Sequence, residues 1–376
     1  MNILMLNYEY PPIGGGASRA TFHLLKEFSH LDGIKVDLIT SSISNRFEIE
    51  GVGDNIQIHK IPIKKGERYY WTQREILTYS YKSVSYIRKL KKNQKYDLCH
   101  AFFGVPCGVM AYLFRKEMPY IVSLRGSDVP GFNPRFSFQY TFLKPIIKKV
   151  WSEAKSVVAN SQGLRELALK TNPNQKIEVI YNGVDTQKFR PAPKKNGDKI
   201  RILSVARLIE RKGLNYLIEA IPSIIENQNN VEVLIVGEGN LHRELQRKCS
   251  GLGIQKYVKF LGGVNNDDLP SIYSNSDIFV LPSLNEGMSN TILEAMASGL
   301  PIITTDTGGS KELIDKNGII IPIMDSKAIS DAIMTLISNE RLRYEMGRKS
   351  RRKAEGMSWE RVAKDYFNLY SKILRA

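Results

Sequence analysis

Cysteine is scarce in this chain: Cys99, Cys107 and Cys249 are the three among 376 residues, scattered without metal-ligand spacing. That excludes a disulfide-stapled small module and a cysteine-built zinc site, and it suits a reducing compartment. Long hydrophobic runs are also missing, since stretches such as ILMLNY and VLIVG are too short to span a bilayer. The opening MNILMLN has no basic segment ahead of a long apolar one, so no signal peptide is expected. Negative charge is in deficit, with 54 Lys and Arg against 38 Asp and Glu and a net charge of +16.

The imbalance is uneven. Residues 1–190 carry +12 and the remainder +4, while residues 60–95 alone hold 11 basic and 2 acidic side chains. Tyr69, Tyr70, Trp71, Tyr79, Tyr81 and Tyr86 are interleaved with those charges. Such a field favours an anionic partner, either acidic lipid or nucleic acid, or else is an ordinary solvated lysine-rich face. No zinc spacing, RNP-like pattern or recognition helix accompanies it, so no nucleic-acid partner is expected.

At 376 residues and 42% hydrophobic composition, two domains of roughly 150–200 residues are expected. MNILMLN, YEYPPIGGG and ASRATFHLLKEFSH read as strand, glycine-rich loop and helix, with Leu24, Leu25 and Phe28 on the apolar side. VDLITS (36–41), YDLCHAFF (96–103), PYIVSLRG (119–126) and SVVANS (156–161) are further strands, and their alternation with helical segments predicts a mostly parallel sheet. KFRPAPKKNGDKI (188–200) reads as a linker. Strand and helix then alternate again through RILSVAR, VEVLIVGEG, VKFLGG, DIFVLPS, PIITTD and GIIIP. The expected domains are 1–190 and 191–356, followed by a C-terminal helix, 357–376, carrying Trp359, Val362, Tyr366 and Leu369 and possibly crossing back to the first domain. Two doubly wound α/β domains would leave a central cleft, and ligands of such folds bind at the carboxyl ends of parallel strands. Helix N-termini there suit phosphate, so a phosphorylated, nucleotide-bearing small molecule is the expected ligand.

Several constellations carry that chemistry. Gly14, Gly15 and Gly16 follow a strand and precede a helix; without Cβ atoms they either form a tight turn or let the backbone approach a ligand, with Glu9 ahead of them to orient the loop. The run is neither a dinucleotide fingerprint nor a P-loop. Arg207 and Lys212 flank a strand-to-helix turn, where they are either solvated or clamp a diphosphate and stabilise the charge on a departing phosphate. Gly237 and Gly239 end another strand, supporting phosphate or base or simply turning the chain.

Glu286 and Glu294 present a second pair of possibilities. On one continuous helix they would point about 80° apart. Ser289 or Asn290 can instead cap a helix that starts near Asn290, leaving Glu286 in the loop and Glu294 about one turn inside. The backbone N–H groups of Gly287, Met288 and Ser289 lie beside them. The two acids read either as a general acid/base pair or as holders of hydroxyl groups, since a cis-diol matches the two oxygens of a carboxylate.

The run EGMSNTILEAMASGLP (286–301) resembles the E-x7-E signature of retaining, nucleotide-sugar-dependent glycosyltransferases of the family 4 type. YEYPPIGGG, RGSD (125–128), NSQGL (160–164), VIYNGVD (179–185), SVARLIERKG (204–213), VGEG (236–239), LGGV (261–264) and TTDTGGSKELI (304–314) extend that resemblance over nearly the whole chain. It implies a GT-B fold, two Rossmann-like domains facing across a central cleft, the first binding acceptor and the second the nucleotide sugar. It implies that Gly15 and Gly16 approach donor phosphate and sugar, that Arg207 and Lys212 contact the diphosphate, and that Glu286 binds donor sugar hydroxyls. Glu294 would bind the nucleotide ribose, Asn290 and Thr291 would lie around the phosphates, and the base would pack near the Gly237–Gly239 and Gly262–Val264 turns. Arg125 stands where many relatives place a histidine, which suits a sugar hydroxyl or a charged acceptor, with Asp128 as anchor of Arg125 or of its loop.

The implied co-substrate is a UDP-, GDP- or ADP-sugar, with no metal required. The implied reaction is transfer of a hexose-type sugar to a glycan or lipid-linked acceptor, as in polysaccharide biosynthesis. A cytoplasmic enzyme is expected, peripheral on the inner face of the membrane if the basic 60–95 stretch meets anionic lipid. The alternatives are a nucleotide-sugar epimerase of similar fold and, on charge alone, a nucleic-acid-binding protein.

Overall fold

A computed structural model describes residues 1–44, 46–133, 137–193 and 199–375. The chain divides into two compact units, Met1–Asn182 with Trp359–Ala376, and Gly183–Ser358.

In the first unit, the described residues form a sheet of β1 (Asn2–Leu6), β2 (Lys35–Ser42), β3 (Glu48–Val52), β4 (Ile56–Pro62), β5 (Leu98–Phe102), β6 (Tyr120–Leu124), β7 (Ser156–Ala159) and β8 (Ile177–Val179). Their order is β3-β4-β2-β1-β5-β6-β7-β8, and every neighbouring pair is parallel except the β3/β4 hairpin. The central strands are fully buried because helices cover both faces, which is why NILML, LCHAF and YIVSL are nearly continuous apolar runs.

The helix Gly16–Phe28 buries Ala20, Leu24, Leu25 and Phe28 on one face of the sheet. The C-terminal helix Trp359–Arg375 packs against it and buries Val362, Tyr366, Leu369 and Tyr370 in the same unit. A polar network ties that helix to the sheet. His100 on β5 is completely buried, with Nδ1 2.6 Å from Tyr370 Oη and Nε2 2.7 Å from Ser123 Oγ, which in turn lies 3.0 Å from Tyr366 Oη.

In the second unit, β9 (Ile200–Val205), β10 (Val231–Val236), β11 (Val258–Gly262), β12 (Ile278–Leu281), β13 (Ile302–Thr305) and β14 (Gly318–Ile321) are all parallel, ordered β11-β10-β9-β12-β13-β14 among the described residues. The chain builds outward from β9 to β11, then returns to the other side of β9 as β12. The topological switch therefore lies between β9 and β12.

The two units have the Rossmann-like α/β architecture of the GT-B fold. The boundary differs from the break expected at 190. Val184 N–H donates to Met357 O at 2.8 Å, Phe189 is buried in the second core, and Arg351 donates to the carbonyls of Thr186, Phe189 and Ala297. Residues 183–190 thus belong to the second unit; of the linker 188–200, residues 194–198 lie outside those described.

Burial, then the nearby Arg125 guanidinium, hold the His100 pKa well below its ordinary value. An unfolded chain takes up a proton near pH 6.5 that the native imidazole refuses, so stability is full above that pH and falls as the medium is acidified below it. Chemical denaturation of wild type and His100→Asn between pH 7.5 and 5 is expected to show a steeper loss in the wild type. Tyr370→Phe, which strips a buried ring nitrogen of its partner, is expected to cost about 1–3 kcal/mol at pH 7.

Candidate active site

The loops that follow β9 and β12 meet at the switch point of the second sheet. After β9 the chain passes through Arg207, makes a 3-10 turn over Glu210–Lys212 and enters the helix Leu214–Asn227 through Gly213. Gly213 has φ +62°, and a Cβ there would lie 2.1 Å from the Pro282 carbonyl oxygen. Only glycine lets the loops close this far. Leu284 N–H completes the seam by donating to Arg211 O at 2.8 Å.

Lys212 and Glu286 join inside this seam. Lys212 Nζ forms an ion pair with Glu286 Oε1, and both side chains are nearly excluded from solvent. Ser283 Oγ donates to the same oxygen at 3.0 Å, and Ser283 is itself held by Thr305 Oγ1–H donating to its carbonyl at 2.5 Å. Burial alone would raise the Glu286 pKa, but the charges of Lys212 and Arg211 outweigh it and hold the carboxyl below its ordinary range. Burial depresses Lys212, and Arg211 and Arg207 push the same way, with Glu286 as the counterweight. Lys212 and Arg211 therefore both act on one carboxylate at a strand-to-helix turn, and Arg207 acts on Lys212.

Glu294 lies one turn into the helix Asn290–Ala297, so Glu286 is a loop residue and the two acids do not share a helix. Ser289 caps that helix, its Oγ accepting from Ile292 N–H at 3.4 Å and lying 3.1 Å from Thr291 Oγ1. Asn290 and Thr291 are half-buried at the helix start, whereas the Met288 side chain packs in the apolar core beside the buried Gly287. Glu294 is buried and accepts from Tyr273 Oη–H at 2.8 Å. Gly237, at φ +137°, would place a Cβ 1.9 Å from Ala206 O, so close packing of the β9 and β10 ends requires it. Its N–H donates to Gly262 O at 2.8 Å, joining the two turns expected near a base.

The remaining candidates lie in the first unit. Glu9 folds back on the glycine run: its Oε2 accepts from Gly15 N–H at 3.4 Å, and its own N–H donates to Asn7 Oδ1 at 2.9 Å. Gly15 is the cap and Gly16 the first residue of the helix that follows β1. Arg125, just after β6, donates to Asn182 Oδ1 at 2.9 Å and lies over the Phe102 ring at 4.4 Å. Asp128 accepts from the N–H groups of Gly104, Arg125 and Gly126 at 2.8, 2.9 and 3.0 Å. Burial raises the Asp128 pKa against the pull of those amides. Its carboxylate is committed to shaping the loop, the anchoring role among those expected of it.

Four neighbours escaped the sequence reading. Arg211 and Asn182 lie inside quoted runs but carry no spacing signal, and Ser283 and Tyr273 become visible only once strands and helices are packed. Among the described residues no cluster of three or more His, Cys, Asp or Glu is placed to hold a metal ion.

Residues 14–188 match the model of Glycosyltransferase Family 4, and residues 185–353 match that of Glycosyl transferases group 1. The chain is a GT-B-fold glycosyltransferase related to these families. An uncharacterized glycosyltransferase of Methanocaldococcus jannaschii is 28% identical, the match covering 98% of each chain. Among solved structures, sucrose-phosphate synthase from Thermosynechococcus elongatus superimposes with a TM-score of 0.86 at 19% identity, covering 100% of this chain and 99% of that one. Anabaena HepE, solved with UDP and glucose, gives 0.77 at 19% identity, covering 99% and 100%.

This glycosyltransferase rests its switch-point loops on a buried ion pair, and removing one partner of such a pair costs about 3–5 kcal/mol because the other charge is stranded. Lys212→Met alone is therefore expected to destabilise the protein more than Lys212→Met with Glu286→Gln, measured by urea unfolding at pH 7. Because the Glu286 pKa is depressed, its contribution is present at neutral pH and lost as pH falls through its folded value. Equal stability of the single and double variants would show that the pair does not form in solution.

Proposed function

We propose that this protein is a retaining, metal-independent glycosyltransferase. It transfers a hexose-type sugar from a nucleoside diphosphate sugar to a hydroxyl of a glycan or lipid-linked acceptor, in the cytoplasm. The observation that carries this reading is the buried Lys212–Glu286 ion pair where the β9 and β12 loops meet, with Arg207 and Arg211 on the same loop as Lys212. A diphosphate is the ligand that such a cation-rich turn would receive, and the helix N-terminus at Asn290 and Thr291 would offer it further N–H donors.

In the proposed reaction the bond between the anomeric carbon and the leaving phosphate oxygen breaks, and the acceptor oxygen bonds to that carbon on the same face. The acceptor proton passes to the departing phosphate oxygen. Arg207 and Lys212 stabilise the charge that grows on that oxygen, the task a metal ion performs elsewhere. Lys212 must exchange some of its contact with Glu286 for phosphate as the donor binds, which frees carboxylate oxygen for sugar hydroxyls. Glu294, oriented by Tyr273, offers its carboxylate to the ribose. Gly15 and Gly16 lie at a helix start that Glu9 orients, suited to phosphate and sugar, and Arg125 is a candidate for orienting sugar or acceptor.

A thermal-shift screen of UDP, GDP and ADP sugars would identify the donor. With that donor, Arg207→Ala is expected to lower kcat by about 10²–10³-fold with acceptor KM nearly unchanged. Glu294→Ala is expected chiefly to weaken donor binding in calorimetry. Proton NMR of the product should show the donor's anomeric configuration; an inverted product would overturn the same-face mechanism, and full turnover by Arg207→Ala would overturn the phosphate assignment.

A further inference from the structure

Two helices of the first unit present solvent-facing stripes that the proposed chemistry does not use. They lie on the same side of the sheet. The connections from β4 to β5 and from β6 to β7 advance along the strand order in one direction, and right-handed crossovers place both helices on one face. The helix Gly16–Phe28 follows the opposite step from β1 to β2, so it and the C-terminal helix cover the other face.

The first stripe is on the helix Ser137–Ser152, where Phe138, Phe142 and Ile146 recur every four residues and are 77%, 66% and 47% exposed. Tyr140, Ile147, Val150 and Trp151 occupy the inward side, so the outward line is surplus to folding. The Phe138 and Phe142 rings meet edge to face with centroids 5.2 Å apart, forming one apolar knob. The helix has no acidic residue. Lys144 and Lys148 are exposed on the same helix, and Lys149 pairs with Glu153 just beyond it.

The second stripe is on the helix Gln73–Asn93. Leu77 and Tyr81 are 69% and 79% exposed, and Arg74, Arg88 and Lys92 continue their line along the helix. Its one acid, Glu75, is withdrawn into a capping box with Thr72 and an ion pair with the buried Lys65. Much of the basic, tyrosine-rich 60–95 stretch is thus spoken for: Lys65 lies over Trp71, Tyr79 Oη donates to Ile39 O, and Tyr86 shares a hydrogen bond with His59. What remains exposed is amphipathic. Phe138 and Phe142 on one helix and Leu77 and Tyr81 on the other occupy the N-terminal half, nearest the strand carboxyl edge that also bears Gly15 and Arg125.

We propose that this face of the first unit seats on an anionic lipid bilayer. Phe138, Phe142, Leu77 and Tyr81 enter the boundary between headgroups and acyl chains, while the flanking lysines and arginines extend to lipid phosphates. Charge complementarity selects this occupant: residues 60–95 carry 11 basic against 2 acidic side chains, and the helix Ser137–Ser152 adds lysines without acids. The inference deepens the lipid-linked acceptor reading, on which it rests for its purpose, since the unit expected to hold the acceptor would be brought to the surface that carries it.

The test is flotation of the full chain with phosphatidylcholine vesicles and with phosphatidylcholine–phosphatidylglycerol vesicles, scored beside nucleotide-sugar binding in the same samples. Binding is expected to the mixed vesicles, about tenfold weaker to the neutral ones and weakened by added salt. Phe138→Ser with Phe142→Ser, and separately Leu77→Gln with Tyr81→Gln, should each lower vesicle affinity about tenfold, with the melting temperature and nucleotide-sugar binding unchanged. A wild-type chain that stays in solution with mixed vesicles, binds both vesicles equally, or floats unaltered by these substitutions overturns the proposal. So does a dimer in light scattering that the Phe138 and Phe142 changes dissolve, which would make the face a self-association surface. A chain that binds nucleotide sugar without floating leaves the transferase reading intact; one that floats without binding any nucleotide sugar upholds the surface and overturns that reading.

Discussion

The ion pair between Lys212 and Glu286 is the constraint around which the second unit's candidate site is arranged. Burying two charges is costly, and the surroundings show how the cost is met. Ser283 donates to the carboxylate, Arg211 supplies further positive potential to it, and Thr305 fixes the serine loop. Replacing a buried ion pair by apolar residues of similar volume is often neutral or stabilising. The role proposed for the charges at the sheet's switch point is therefore exchange with a bound diphosphate rather than stability.

In the first unit, two buried polar residues, His100 and Asp128, are each held in a network of hydrogen bonds. His100 is satisfied at both ring nitrogens and carries the C-terminal helix onto the sheet. Asp128 gathers three amides and fixes the loop on which Arg125 stands. Arg125 is only partly committed: Nη1 donates to Asn182, while its Nε is buried without a hydrogen-bond partner among the described residues.

Much of this architecture is legible in the residues. Strands buried on both faces, such as NILML and VEVLIV, announce themselves as apolar runs, and glycine at the strand ends marks the turns. The β3/β4 hairpin was not legible, because β3 is an exposed edge strand, EIEGV, with little apolar content. The helix Glu340–Glu355 escaped for a related reason: it buries Gly347, Ser350 and Ala354, small residues that leave no hydrophobic rhythm. At the candidate site the local pattern pointed to Arg207, Lys212, Glu286 and Glu294. It did not reveal that Lys212 and Glu286 bind one another or that Tyr273 holds Glu294, since those contacts join segments separated by 74 and 21 residues.

The most direct test of the central claim is the proton–nitrogen NMR signal of the Lys212 side-chain ammonium during titration with UDP, GDP and ADP, assigned by comparison with Lys212→Arg. The account predicts that the signal is protected from exchange in the free protein, shifts on addition of one nucleoside diphosphate, and then couples to phosphorus. A signal that stays at its starting position while that nucleotide saturates the protein would contradict it.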